Sequence, residues 1–431
     1  MKPFVSKTMI YSLAIYFLWY AAVLDPVGKL FMLRYVALVY AVACLLLSGR
    51  VLALFEPNTS LRNVTIIYIS FLMPIHGLLM YAMRAGYTSD FIDTSYISAG
   101  ILLLISLIYQ TPTLCNVGLR AMIGSGRLLS ILIILVYLIS TTDAIGELGS
   151  FLYERGIALV NTREYASFSF PYIYFFASPM LIYLIAFDLS AAFDKPEMRN
   201  ILKSGVSIFA LALSGTRFHI VLACLFPFVF YILRYPRQKF LLLGAFVVLV
   251  MSAQTVTELP IVNEIFSPEE ASNAKKLGMV SYYWEMFRDI ITYLFGQGYN
   301  AHAWSSPLRE IISIERNASK SELTYLEIFR VYGVLISVPF FLLLVALVRR
   351  LGLLSKDLGW LYPAFIIFLV GSASNPYLFS TNGMLPLGLI LAVVSQSGRL
   401  NSSVNALTNV ANRRSGHREW RRANGHGGGW N

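Results

Sequence analysis

A long polar segment interrupts an otherwise apolar chain, and it holds the side chains best suited to chemistry. Between about 252 and 321 the sequence contains Arg288, His302, Arg309 and Arg316, six tyrosine or tryptophan residues and eight acidic residues. Such loops usually carry function, because a scaffold needs no insertion of this kind. Guanidinium groups donate two parallel hydrogen bonds and match the oxygens of a phosphate. The segment therefore indicates a phosphate-bearing ligand.

Two residues outside the insertion complete a candidate reaction site. Arg217 follows a Ser-Gly-Thr turn, and Glu322 begins the apolar run after the insertion. A fixed guanidinium stabilises the charge that develops on a diphosphate as its bond to a sugar breaks. A carboxylate accepts the proton of an attacking hydroxyl. We therefore expect Arg217 and Glu322 to be catalytic, with Arg288 and Arg309 helping to hold the diphosphate.

Each candidate also has a structural explanation. Arg217 can snorkel at its turn, and Arg34, near the outer end of an early apolar run, can either snorkel or reach the same cleft. Glu322 can complete a helix cap, and Arg316 can pair with the adjacent Glu315. The candidates that can instead be solvated surface groups are Arg288, His302 and Arg309.

The composition is that of a membrane protein. Of the 431 residues, 57% are hydrophobic and only 13% are charged, whereas a soluble domain carries about a quarter charged residues. Apolar runs of about 15 to 22 residues recur along most of the chain, as is typical of membrane-spanning helices. We therefore expect an all-α polytopic membrane protein.

Twelve spans are predicted, within a single transmembrane domain at 1–396. They cover about 8–25, 30–48, 64–83, 91–110, 128–142, 168–187, 201–214, 218–233, 238–254, 322–347, 358–373 and 378–396. The large loop at 255–321 lies between spans nine and ten. The segment 397–431 is rich in Asn, Ser, Arg and Gly, which predicts a disordered tail.

Charge orients the predicted bundle. The N-terminus, the even-numbered connections and the tail carry 21 basic and six acidic residues, and the opposite side carries 13 basic and 17 acidic residues. Since positive loops stay in the cytoplasm, both termini are expected there and the loop 255–321 faces outward. No ATP is available on that side, so the substrate must arrive already activated. The net charge of +11 then reflects orientation and anionic-lipid contact, not nucleic-acid binding.

The insertion itself is expected to be partly helical. Residues 272–295 predict one helix at the membrane surface, because the apolar residues from Met279 to Leu294 form one stripe that ends at Gly296. Ser306–Pro307 predicts the start of a second short helix. Ser319–Glu322 has the form of a capping box before span ten.

One histidine lies inside an apolar run. His76 stands close to Pro74 in the third predicted span. A polar group is costly there, and the favoured interpretation is a hydrogen-bonded histidine at a kink, with a functional site as the alternative. The three cysteines are far apart and show no metal-binding spacing.

Three segments resemble motifs of the O-antigen polymerase family, within the larger group that includes the O-antigen ligases. They are LSGTRFHIVL at 213–222, FGQGYNAH at 295–302 and SELTYLEIFRVYGVLI at 321–336, called motifs 1, 2 and 3 below. They occur in the family's order, and the twelve-span layout with a large loop after the ninth span also matches. The resemblance covers most of the chain.

The resemblance implies a GT-C-like, inverting membrane glycosyltransferase of the bacterial inner membrane. It would join oligosaccharide repeat units carried on undecaprenyl diphosphate, use no metal or other cofactor, and contact the diphosphate through Arg217. A chain-length regulator protein is a further implied partner. The substrate-binding candidates are then Arg34, Arg288, Tyr299, His302, Arg309, Arg316 and Tyr325.

The chain departs from the ligase pattern at one position. Ligases usually have a histidine three residues before the aromatic residue of motif 3, and counting back from Tyr325 gives Glu322. This departure favours a polymerase and leaves the identity of the general base open. The alternatives are an O-antigen ligase and a transporter of lipid-linked glycan. Transporters usually show internal repeats and mid-membrane ionisable groups, which the sequence does not show.

Overall fold

The fold is known from a computed structural model of the chain. The structure describes residues 7–48, 60–83, 100–104, 108–140, 145–165, 168–235, 271–299, 323–373 and 375–397. The predicted ninth span and most of the fourth lie outside these ranges. So do the predicted helix at Ser306–Pro307, the capping box at Ser319–Glu322 and nearly all of the expected tail.

The described chain is mostly helical. The N-terminal helices are α1 (Lys7–Leu24), α2 (Leu33–Ser48), α3 (Ser60–Ile67) and α4 (Met73–Met83), with a π-helical stretch at Tyr68–Leu72 joining α3 to α4. The central helices are α5 (Pro112–Ser140), α6 (Ile145–Glu154), α7 (Leu181–Asp194), α8 (Met198–Leu213) and α9 (Arg217–Arg234). The C-terminal helices are α10 (Ala271–Met286), α11 (Ile290–Phe295), α12 (Thr324–Leu351), α13 (Leu361–Ser372) and α14 at 381–397.

Several of these helices are suited to a bilayer. Within the described ranges, Leu61–Met83, Pro112–Ser140 and Thr324–Leu351 are long and apolar enough to cross a membrane, and shorter apolar helices accompany them at Thr8–Leu24, Leu33–Leu47 and Phe218–Arg234. The structure therefore supports a helical membrane protein, while the total of twelve spans stays a prediction.

The distribution of apolar side chains agrees with this. Large residues such as Trp19, Phe226 and Phe365 are fully buried in a core formed by most of the helices. At the same time Leu47 is 85% exposed and Leu342 is 63% exposed. An apolar surface this extensive is a liability in water and the expected surface in lipid.

The fifth predicted span is too short. The prediction of 128–142 covers only the second half of α5, which begins at Pro112. Arg120 and Arg127 lower the local hydropathy, but they lie within the helix and do not end it. Its first half packs through small residues, since Gly126 approaches the side chain of Leu184 on α7.

The prediction of an all-α fold is wrong at the sixth span. The segment expected to be helical from 168 instead forms strand β2 (Phe168–Phe175), which pairs in antiparallel register with β1 (Ala158–Tyr165). The sequence FSFPYIYF is rich in aromatic residues, which favour a strand. Hydropathy alone does not separate such a strand from a helix, and the apolar helix α7 begins only at Leu181.

The single helix predicted at 272–295 is two helices. Asp289 accepts hydrogen bonds from the backbone N–H groups of Ile291 (3.3 Å) and Thr292 (3.1 Å), so it caps a new helix, α11. The predicted stripe therefore splits: Met279 is buried, whereas Ile290 is 62% exposed. The predicted end of the helix at Gly296 is confirmed.

The connections between the helices form two groups, one at each end of the helices. At one, called the Asp194 end, the carboxylate of Asp194 accepts a hydrogen bond from the Tyr235 hydroxyl at 3.1 Å and lies 3.8 Å from the Lys356 ammonium. Arg234 donates to the backbone carbonyl of Lys356. Burial and the neighbouring Asp194 carboxylate raise the pKa of Tyr235. These residues come from three connections that the charge distribution places on the same side.

The opposite end, called the hairpin end, contains the strands β1 and β2. Asn382 at the start of α14 donates to the Phe176 carbonyl at 2.7 Å, and Tyr172 packs against Gly215 in the turn between α8 and α9. Val27, in the connection between α1 and α2, packs against Gly156 just before β1. The connections described at these two ends group as expected if successive connections alternate between the two sides of the membrane.

Helix α12 is broken at a glycine. Gly333 has φ 67° and ψ 174°, a conformation essentially restricted to glycine. The backbone of α11 fills the break, because a Cβ built on Gly333 would collide with the carbonyl oxygen of Leu294. The N–H groups of Gln297 and Gly298 donate to the carbonyls of Arg330 (2.6 Å) and Val331 (3.0 Å).

The break predicts a strong effect of one methyl group. In Gly333→Ala the backbone conformation alone disfavours alanine by about 1–3 kcal/mol, and the collision with Leu294 adds to it. We expect a clear fall in the melting temperature of the purified protein, measured by tryptophan fluorescence. Gly205→Ala on α8 is the control, because among the described residues no atom beyond the backbone of its own helix and its chain neighbours lies within 4 Å of the added Cβ. Equal melting temperatures for the two variants would contradict the packed break.

Candidate functional site

Motif 1 forms the turn between α8 and α9 at the hairpin end. Gly215 has φ 66°, and any side chain there would collide with Tyr172 of β2. The Thr216 hydroxyl accepts a hydrogen bond from the His219 N–H at 3.1 Å and caps α9. Arg217 is therefore the first residue of an 18-residue helix, at the end where backbone N–H groups favour anions.

His219 of motif 1 is fully buried and hydrogen-bonded through both ring nitrogens. Nδ1 lies 2.6 Å from the Ser214 hydroxyl, and Nε2 lies 3.3 Å from the hydroxyl of Tyr377. Ser214 donates its own proton to the Leu211 carbonyl at 2.6 Å. The arrangement that satisfies all three contacts has Nδ1 donating to Ser214 and Nε2 accepting from Tyr377. His219 thus fixes the turn that carries Arg217.

The connection between α13 and α14 joins motif 1 to motif 3. Its Tyr377 contacts His219 of motif 1, as above. Its Asn375 carbonyl accepts a hydrogen bond from the Thr324 hydroxyl, at 2.7 Å, where α12 begins. The N-termini of α9 and α12 are therefore linked by one short connection, although they are far apart in sequence.

The described part of motif 2, residues 295–299, lies between α4 and the broken α12. His76 Nε2 lies 2.7 Å from the Phe295 carbonyl oxygen, and the Tyr299 N–H donates to the Gly77 carbonyl at 3.2 Å. Tyr299 is 4% exposed, and its hydroxyl bonds that of Tyr332 at 2.7 Å. The hydrogen bond expected of His76 is present and goes to the backbone of motif 2.

A hydrogen-bonded carboxylate, called the Glu327 clasp, ties the insertion to α12. Glu327 accepts two hydrogen bonds from Arg330, from Nε at 2.8 Å and from Nη2 at 2.5 Å. It also accepts one from the hydroxyl of Tyr283 on α10, at 2.9 Å. Arg330 is 1% exposed and the side chain of Glu327 is 13% exposed. The clasp, with the apolar contacts of Tyr283, fixes α10 against α12.

Arg288 lies exposed in the turn between α10 and α11. It borders a surface groove of about 500 Å³ on the outer face of α10, lined also by Leu277, Val280, Ser281, Trp284 and Glu285. Trp284 is 73% exposed. An arginine beside an exposed indole is suited to the boundary between headgroups and acyl chains.

The remaining predicted site residues with described side chains, Tyr325, Tyr299 and Arg34, lie in separate parts of the fold. The Tyr325 hydroxyl donates to the Leu369 carbonyl and so ties α12 to α13, and its ring packs edge-on against Phe341 within α12. Tyr299 has the buried packing role given above. Arg34 is 6% exposed at the start of α2. Tyr299 is buried, whereas Tyr325 is half-buried.

Four of the predicted site residues lie outside the described ranges. They are His302, Arg309, Arg316 and Glu322. The side chain of Arg217 is also outside them, although its backbone position is described. In the portion that the structure covers, no three His, Cys, Asp or Glu side chains lie together as a metal site would require.

The structure adds residues that the sequence prediction missed. His219 and Glu327 stand within motifs 1 and 3, and the three-residue spacing of Glu327 and Arg330 on a helix was a readable signal of pairing. Tyr283 and Tyr377 carried no such signal, because their partners are distant in sequence.

Comparison of the chain with protein families, curated proteins and solved structures finds no match.

The Glu327 clasp predicts non-additive effects on stability. Arg330→Met leaves a largely buried carboxylate without its charged partner, which we expect to cost roughly 3–5 kcal/mol. The double variant Glu327→Met, Arg330→Met removes both charges and should regain most of that loss. Thermal unfolding of the purified variants measures both. A double variant that is less stable than Arg330→Met would show that the clasp does not act as a pair.

Proposed function

We propose that the protein is a polysaccharide polymerase that joins oligosaccharide repeat units carried on undecaprenyl diphosphate, on the outward side of the membrane. The observation that carries this proposal is the convergence of the three motifs. Motifs 1 and 3 meet at the connection 375–380, and motif 2 fills the break in motif 3. Segments with only scaffold roles in separate spans have no need to assemble in this way.

The donor substrate is the growing chain on its carrier. Arg217, at the N-terminus of α9, holds the donor diphosphate with Arg288 and Arg309. The fixed charges stabilise the diphosphate as its bond to the sugar weakens. The buried contacts of His219 support this role, since they hold the backbone of the turn that carries Arg217.

The acceptor is an incoming repeat unit. Glu322 takes the proton from the acceptor hydroxyl, whose oxygen attacks the anomeric carbon from the face opposite the diphosphate. The new glycosidic bond forms as the carbon–oxygen bond to the diphosphate breaks, so the anomeric centre inverts and undecaprenyl diphosphate leaves. The sugar–diphosphate bond supplies the driving force, and no nucleotide is consumed.

The first test is the glycan made by catalytic variants in cells that lack the native copy. Arg217→Ala and Glu322→Gln should each lower polymer formation by about 100-fold, the usual loss for one charge-stabilising or proton-transferring group. Electrophoresis should then show single repeat units on the surface acceptor. Arg155→Ala and Glu154→Gln are the matched controls, because both residues are exposed at the hairpin end.

The glycan profile distinguishes a polymerase from the two alternative functions. Single repeat units on the acceptor fit a lost polymerase, whereas a lost ligase or a lost transporter leaves none attached. Normal polymer at normal protein levels from both Arg217→Ala and Glu322→Gln would refute the assigned site. Broken helices such as α12 also occur in transporters, so a transporter is kept as an alternative function.

The second test is the side of the membrane that each end faces. Ile290→Cys, at a position 62% exposed, should react with a membrane-impermeant maleimide added from outside. Leu353→Cys, at a position 78% exposed near the Asp194 end, should react only after lysis. Cys224 is exposed and is replaced in both variants, whereas Cys44 and Cys115 are buried. Labelling of 290 from the cytosolic side alone would exclude the proposed reaction.

A further inference from the structure

Helix α10 carries an apolar stripe on its exposed side. Leu277, Val280 and Trp284 are 60%, 47% and 73% exposed. They stand three and four residues apart, so they share one face of the helix. These three residues, called the α10 stripe, line the groove of about 500 Å³ that Arg288 borders. Large apolar side chains exposed in a row within a polar insertion indicate a contact surface.

The α10 stripe is not the stripe that the sequence predicts. The predicted membrane face begins at Met279, and Tyr283 is one turn further along it. Both residues are instead buried, at 4% and 1% exposed, in a cluster that includes Leu323 and Leu326 at the start of α12. The predicted face therefore contacts protein. The α10 stripe is offset from it by one residue, which turns it to a different side of the helix.

The attachment of α10 gives the level of the stripe relative to a bilayer. The Tyr283 hydroxyl donates to Glu327 at 2.9 Å, three residues after α12 begins at Thr324. Helix α12 is long and apolar enough to cross a membrane, and its exposed Leu335 and Leu342 are suited to lipid. A helix tied to the first turn of such a span lies close to the boundary between headgroups and acyl chains.

The chemistry of the α10 groove fits this boundary. Tryptophan is enriched there, because its ring is apolar and its indole N–H reaches the polar layer. Ser281 and Glu285 each follow a stripe residue directly, and Arg288 lies one turn beyond Trp284. An apolar face with hydroxyl, carboxylate and guanidinium groups along its edge is typical of a helix that lies in the plane of the membrane surface.

We propose that the α10 stripe lies in the outward leaflet of the bilayer and that phospholipid acyl chains fill its groove. Leu277 and Val280 contact the chains, and the Trp284 indole spans the boundary to the headgroups. The inference goes beyond the proposed function and does not rest on it. Where that function holds, the contact keeps Arg288 at the level of the lipid phosphates, which is also the level of a lipid-linked diphosphate.

The test measures what surrounds α10 in the full chain, in nanodiscs of phosphatidylethanolamine and phosphatidylglycerol. Nitroxide labels are attached to Leu277→Cys, Val280→Cys and Trp284→Cys, with the exposed Cys224 replaced. Collisions are compared for oxygen, which concentrates in the bilayer, and for a neutral nickel chelate, which stays in water. Since these positions are exposed, labelling should leave the fold intact, and we expect oxygen collisions to dominate at all three.

Glu285→Cys is the matched control, because Glu285 is exposed on the same helix and directly follows Trp284. Its label lies toward the edge of the apolar face, where headgroups and water are expected. The ratio of oxygen to nickel collisions should therefore be several-fold lower at 285 than at 284. Loss of the apolar anchor in Leu277→Ser, Trp284→Ser protein should expose a label at 280 to the nickel chelate.

Two other results would overturn the inference. Nickel collisions as frequent at 277, 280 and 284 as at 285 would place the stripe in water. Few collisions with either reagent would show that protein covers the stripe, whether a second copy of the chain or another segment of the same one.

The labels report surroundings and not activity, so the inference and the proposed function fail separately. A stripe in lipid on a chain that makes no polymer would keep the inference and refute the polymerase. A stripe in water on an active polymerase would do the reverse.

Discussion

The site depends on one backbone junction, where the segment after α11 fills the break in α12. In a bilayer every backbone polar group needs a partner, and a broken helix exposes carbonyls that have none. Here the carbonyls of Arg330 and Val331 are taken by Gln297 and Gly298. The approach is so close that side chains are excluded at Gly296 and Gly333. The described parts of motifs 2 and 3 therefore pack as one structural unit.

This junction determines how the polar insertion sits on the membrane domain. Helix α11 is fixed at its end by the junction, and α10 is fixed by the Glu327 clasp to Tyr283. Arg288 lies between these two attachments. A guanidinium in a mobile loop would lose much of its effect on a developing charge, because it would have to reorganise during the reaction. Attachment on both sides fixes the backbone that carries Arg288, as the role proposed for this residue requires.

Much of the scaffold could be predicted from the sequence, and the exceptions have physical causes. Hydropathy located the apolar helices because burial in lipid depends on composition. It gave α5 too short a length, because Arg120 and Arg127 lower the mean hydropathy without interrupting the helix. It missed the hairpin, because an aromatic strand is as apolar as a membrane-spanning helix. The break at Asp289 was missed because a helical stripe does not reveal a competing cap. Motif spacing found the turn of Arg217 but not the contact of His219 with Tyr377, which only the packed fold creates.

In an apolar surrounding, the pairing of each buried charge is informative because an unpaired one is costly. Buried Asp188 lies 3.4 Å from Arg127 and 3.3 Å from the hydroxyl of Ser207, and Arg330 binds Glu327. Arg62, also buried, donates to the Asn63 side chain at 3.3 Å. Such groups are explained by the fold. Arg34 is different, because the one hydrogen bond that its guanidinium makes within the described part of the chain goes to a backbone carbonyl.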